Sequence, residues 1–260
     1  MLAKYIAVFL VVGTILVGNL SLIHSVSPET LVQSTVDTRF VMWLRVGQAE
    51  LQKLLPAPWQ VNPIPGGPFK EANFIIVFID SFLVQDAQGK PDQGGIARKA
   101  VFTVPAKHAQ TGEIALVVTG GFTADSQDVP GPYKNFGYAA IRREQTLKVV
   151  NIEAGVNEDF WEVRDNRGGT IELRVQYQAA LPSRAKAEQK LYSAVEPSFY
   201  RIYRIDQATD IVKSVPAGID RLKNYQFRMA VPELSKLFDG TEQLVGVSVI
   251  PLYVRQIFLP

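Results

Sequence analysis

Apolar and polar positions alternate with a period of two along much of the chain, and the alternation predicts strands. In residues 39–46, Phe40, Met42, Leu44 and Val46 form one face, and Arg39, Val41, Trp43 and Arg45 form the other. The first face is core. The second, with two arginines and a tryptophan, either lines a pocket for an anionic substrate or meets solvent. Residues 74–79 are apolar at six consecutive positions, the pattern of a strand covered on both faces and so set in the middle of a sheet. Further strands are predicted over residues 100–105, 113–119, 138–141, 146–152, 199–205, 211–215 and 224–230. Residues 160–164 are expected to pair with 170–178 across the turn from Asp165 to Gly169. The last strand, 244–259, bends at Pro251. Helical pattern is confined to 48–55, stopped by Pro56 and Pro58, and to a turn over 232–238 that starts on Pro232. The charged, alanine-rich residues 182–193 read as a short helix or a surface excursion. The fold class that follows is mainly β with short helices, antiparallel, in a single domain over residues 27–260. A closed or nearly closed barrel would remove the exposed edges that so many strands otherwise leave, although periodicity does not separate a barrel from a sandwich.

Composition narrows the chemistry. The chain has 260 residues, 47% hydrophobic and 20% charged, which suffices to enclose a core. A net charge of +2 with scattered Lys and Arg argues against a nucleic-acid partner. Zero cysteines exclude disulfides and thiolate chemistry, and His24 and His108 leave little for a histidine metal site or triad. His108 lies in a polar stretch and reads as a loop residue. At the N-terminus, Lys4 precedes an apolar run from Tyr5 through Val17, the pattern of a secretory signal, and extension to Ile23 gives a length that spans a bilayer as an uncleaved anchor. Residues 1–26 are therefore expected to direct export to the periplasm or medium, or to attach the chain to a membrane through residues 4–23.

The most unusual stretch is Asp128-Val129-Pro130-Gly131-Pro132-Tyr133-Lys134-Asn135-Phe136-Gly137-Tyr138. Prolines and glycines make a rigid, sharply turned loop. Tyr133, Phe136 and Tyr138 could wall in Lys134, and burial lowers a lysine pKa, leaving a neutral amine able to attack carbonyl carbon. The alternative is a tight turn with an exposed lysine at its tip.

Asp128 six residues before Lys134, with Gly131 and Tyr133 between, resembles the active-site segment of the acetoacetate decarboxylase family, in which an acid precedes the Schiff-base lysine by six. Gly67-Pro68-Phe69-Lys70-Glu71 is similar to the segment carrying another active-site acid of that family, and the Leu54 to Pro58 run and the C-terminal strand fall in the family's order. The chain departs from the pattern at Asn135, where the family has a second lysine, and at Asp128, where it has glutamate. The resemblance implies a β-barrel-like fold with the lysine in an interior pocket and no cofactor or metal. It further implies Schiff-base decarboxylation of a β-keto acid or related keto-acid chemistry by Lys134, with Glu71 and Asp128 as catalytic acids and Tyr133 beside the substrate. Arg39 or Arg45 is assigned to the substrate carboxylate on chemistry and strand face alone. The alternative is an exported binding module for a small apolar or carbonyl ligand, which the loss of the second lysine favours. Copies of the chain itself, in a homo-oligomer, are the remaining expected partner.

Overall fold

The computed structural model describes residues 28–92, 97–149 and 155–260; the expected export or anchor segment, residues 1–26, lies outside them. In chain order the strands are β1 (Thr30–Arg45), β2 (Trp59–Val61), β3 (Phe74–Asp86), β4 (Ala97–His108), β5 (Ile114–Thr123), β6 (Phe136–Val149) and β7 (Gly155–Asp165). They continue as β8 (Thr170–Gln178), β9 (Ser183–Ser193), β10 (Tyr200–Ser214), β11 (Ile219–Asp220), β12 (Leu222–Ala230) and β13 (Gln243–Leu259), with one short helix, α1 (Gln48–Gln52), after β1.

Pairing runs from β5 through β9, β10, β13, β1, β3 and β4, and β4 pairs back onto β5, so these seven strands form a ring of hydrogen-bonded neighbours. From β5 the sheet also continues through β6, β7 and β8 to β12. The ladders are antiparallel, as expected, apart from two short parallel ones, β5 with β6 at Gly121–Thr123 and β5 with β9 at Leu116–Val118.

The even face of β1 behaves as its pattern requires. Phe40, Met42 and Leu44 join Phe74, Ile76 and Phe78 of β3, and Phe102 and Val104 of β4, in one core that also takes in Trp161, Ile171 and Leu173. This core fills the space between the outside of the ring and the β6–β7–β8–β12 layer, with the Phe78 and Trp161 rings 5.3 Å apart across it. Burying each such side chain contributes roughly 1.5–3 kcal/mol. β3 is covered on both faces, because Ile75 and Ile79 belong to a second core inside the ring with Val41, Val101 and Ile257.

Two sequence expectations change. Residues 182–193 are not helical but form β9, paired along its length with β10; its alanines and lysines favour a helix, and tertiary pairing overrides that preference. Residues 199–205 and 211–215 belong to a single strand, β10, whose register slips near Ala208 and again near Ile211. The bend expected at Pro251 falls where the β1–β13 register shifts between Asp37 and Arg39, since a proline has no N–H for the ladder.

Candidate binding pocket in the ring

Inward-facing residues of the ring alternate with those of the outer core, and their register sets the layers of a cavity. Arg39 lies opposite Ile79, which lies opposite Lys99; Val41, Val77 and Val101 form the next layer, and Trp43, Ile75 and Thr103 the one beyond. The cavity measures about 190 Å³. It opens beside Lys99, Pro132, Arg201 and Arg255 into an outer vestibule of about 310 Å³ edged by Asp128, Val129 and Pro130. One end is cationic and phenolic; the other is apolar.

At the cationic end, Arg39 donates from Nη2 to Asp37 Oδ2 at 2.7 Å, and its guanidinium lies 3.4 Å from the centre of the Tyr253 ring. Arg255 donates from Nε to Thr35 Oγ1 at 3.1 Å, approaches Asp37 at 4.0 Å and lies over the Tyr203 ring. Burial alone would push the Asp37 carboxyl up, but the charges of Arg39 and Arg255 outweigh it and hold Asp37 below its ordinary value. The Tyr133 and Tyr203 hydroxyls share a 2.6 Å hydrogen bond. Burial and the Tyr203 neighbour push Tyr133 well up, and burial pushes up Tyr253, so both stay neutral phenols. Among the described residues that line the cavity there are three arginines and one lysine and no Asp or Glu. Arg39 Nε, Arg201 Nε and the Tyr253 hydroxyl are buried there with no hydrogen-bond partner. An acceptor with negative charge is the complement of that donor set.

The loop between β5 and β6 supplies the remaining wall. Ser193 Oγ donates to the Tyr133 carbonyl at 2.7 Å, Asn135 Nδ2 donates to the Val118 carbonyl at 2.7 Å, and the Phe136 N–H donates to the Pro130 carbonyl at 2.9 Å. These bonds fix Tyr133 and Phe136 inward. Gly131 is required here: it has a φ of +72°, and a Cβ would sit 2.8 Å from the Phe136 ring.

Lys134 is thereby sent outward. It has a φ of +62°, is exposed and does not line the cavity, so the expectation that Tyr133, Phe136 and Tyr138 bury it is corrected. Glu71 is exposed in the turn after Phe69, with its N–H bonded to the Ile64 carbonyl, and does not line the cavity either. Arg45 shares the odd face of β1 but lies at its end, beyond Trp43, and is exposed. Asp128 stands at the vestibule, where it faces Lys99 Nζ at 2.5 Å. The structure thus joins Arg39 and Tyr133 at the cavity and Asp128 at its mouth, and separates them from Lys134, Glu71 and Arg45.

Sequence reasoning missed Lys99, Arg201, Tyr203, Tyr253 and Arg255. A signal was present in the alternation of Tyr253 with Arg255 and of Arg201 with Tyr203 along predicted strands. Which face points into a ring depends on closure, which alternation does not encode.

No family model and no curated protein sequence matches the chain. Solved structures do resemble it. The enduracididine biosynthesis enzyme MppR with HEPES buffer bound superposes with a TM-score of 0.58 at 8% identity, over 89% of this chain and 86% of that one. An acetoacetate decarboxylase-like enzyme from Sphingomonas wittichii RW1 gives 0.55 at 11% identity, over 90% and 96%. MppR complexed with pyruvate gives 0.53 at 10% identity, over 90% and 91%. The fold is therefore acetoacetate decarboxylase-like.

Proposed function

We propose that this protein binds a small carboxylate ligand with an apolar body inside the ring, the carboxylate at Arg201 and Arg255 and the body against Val41, Val77 and Val101. The observation that carries the proposal is a cavity lined, among the described residues, by four cationic side chains and no carboxylate, with Arg201 Nε and the Tyr253 hydroxyl buried and unpartnered among them. Pyruvate, the ligand of one fold neighbour, is a small carboxylate of this kind. Arg39 is the lesser anchor, because Asp37 already takes one of its donors. The test is calorimetric titration with acetoacetate, hexanoate and the uncharged hexanamide. Both carboxylates are expected to bind and the amide not. Arg201→Gln should weaken the carboxylates by the worth of a charged hydrogen bond, about 1.5–3 kcal/mol or roughly 10- to 150-fold, while Lys134→Ala changes nothing. Equal binding of amide and carboxylate defeats the proposal.

A second reading keeps the Schiff-base chemistry but moves it. Lys99 is the sole lysine among the described residues lining the interior cavity, and Asp128 lies beside it. Here the Lys99 amine adds to the ketone of a β-keto acid, with Asp128 relaying the proton that the nitrogen gives up to the oxygen that departs as water. The iminium then takes the electron pair of the breaking carbon–carbon bond as carbon dioxide leaves. Borohydride trapping with acetoacetate should label the Lys99 peptide and not the Lys134 peptide; absence of any adduct leaves binding without turnover. Export belongs to the same proposal, and a cytoplasmic location on cell fractionation would remove it.

A further inference from the structure

The apolar end of the cavity carries a hydroxyl, that of Thr103. Thr103 is 2% exposed, and its Oγ1 has no hydrogen-bond partner among the described residues. Strand parity puts it on the same face of β4 as Lys99 and Val101, and it lines the cavity in the layer of Trp43 and Ile75. A hydroxyl among Ile75, Leu116 and Trp43 is costly to leave unsatisfied, and valine would fill the same space without that cost. The neighbouring β5 carries a register shift at this level, with Phe102 opposite Gly120 but Thr103 opposite Val118. Bulges of that kind re-aim side chains.

We propose that Thr103 forms a second polar subsite, hydrogen-bonded to a hydroxyl or carbonyl oxygen at the far end of a carboxylate ligand. This deepens the carboxylate-binding reading and rests on it. The ligand class is then an oxygenated, medium-chain carboxylic acid. Its carboxylate sits in the arginine layer, its chain passes the valine layer, and its distal oxygen reaches Thr103 Oγ1, which both donates and accepts. Lys99 and Thr103 are four residues apart on one strand, roughly 13 Å at about 3.3 Å per residue. The distal oxygen is thus well removed from the Lys99 amine and serves recognition.

The experiment compares hexanoate and octanoate with ω-hydroxyhexanoate and ω-hydroxyoctanoate by calorimetry. Wild-type protein should prefer one ω-hydroxy acid over its plain parent by roughly three- to tenfold. Thr103→Val should abolish that preference, and Thr103→Ser, which keeps the hydroxyl, should retain it. If plain and hydroxylated acids bind wild type equally, or if Thr103→Val keeps the preference, the subsite is wrong while the arginine end stands. If none of the four acids binds, the carboxylate reading falls and the subsite with it.

Discussion

Asp37 converts Arg39 from a free cation into half of a buried pair, and this explains why the arginine most visible in the sequence is not the best placed to hold a ligand. Its Oδ2 accepts from Arg39 and from Thr35, and Ser81 also supports the carboxylate. Removing the charge in Asp37→Asn leaves Arg39 and Arg255 buried without their counter-ion. Breaking a buried pair in this way costs about 3–5 kcal/mol, to be read in urea unfolding near neutral pH. The pH dependence follows from the direction of the shift. Asp37 is held below the ordinary aspartate value of 3.8, so its contribution is complete above that value and is lost as pH falls through the lower, folded value. Wild type and variant should therefore differ by a constant amount from pH 7 down to about 4 and converge only in stronger acid. A gap that closes well above that range would mean that Asp37 is not the ionised partner.

At the scale of elements, Arg143 joins the ring to the outer layer. From β6 it donates to Asp159 on β7 at 2.9 and 3.1 Å, to Asp80 on β3 at 3.1 Å and to Thr38 on β1 at 2.8 Å, with its guanidinium over the Trp161 ring. Burial opposes the Arg143 charge, but Asp159 and Asp80 outweigh it and push the arginine up; burial also pushes Asp159 up, and Arg143 offsets only part of that. The two shifts agree on an attractive pair whose acidic member is costly to desolvate. Arg143→Met should lower stability by about 3–5 kcal/mol. The deficit should shrink as pH is lowered, because Asp159, already raised by burial and now without its arginine, gains a proton more readily folded than unfolded, while Asp80 keeps Arg98. Circular dichroism melts of wild type and variant across acid pH would measure this; a pH-independent deficit would instead assign the loss to packing. Elements of this kind also mark how far the sequence could be read. The even face of β1, the doubly covered β3 and the β7–β8 hairpin were legible because burial dictates their periodicity. β9 was not, since it owes its strand form to β10 and β5 on either side. Lys134 was placed inward because the loop's composition says only that the chain turns. The bonds from Ser193 to Tyr133 and from Asn135 to Val118, which choose the inward residues, come from distant parts of the sequence.

Taken as one molecule, the chain is a ring whose cavity has a mouth and a floor, and the floor is where the segment of Gly67, Pro68 and Phe69 finds its use. Trp43 lines the far end of the cavity, donates from Nε1 to Ser248 Oγ at 3.1 Å and is stacked on Phe69, with ring centres 4.1 Å apart and planes within 3°. Pro68 is tied down from β10, its carbonyl accepting from Ser214 Oγ at 2.5 Å, and Gly246 lets β13 pass so close that a Cβ there would lie 2.7 Å from both the Phe69 ring and the Lys213 carbonyl. A stacked aromatic pair contributes about 0.5–1.5 kcal/mol beyond its buried area, so Phe69 fixes the face of the indole while the Ser248 hydrogen bond holds its edge. Phe69→Ala should therefore free Trp43 and lengthen the cavity without touching the arginine end. The indole would become wetter, giving a red shift of the tryptophan emission; Trp59 and Trp161, nearly fully buried elsewhere, would not contribute to it. Longer alkanoates should gain affinity relative to hexanoate, by up to about 0.8 kcal/mol for each added methylene that becomes buried. A red shift without a change in chain-length preference would mean that Trp43 is a structural strut and that the cavity ends before it.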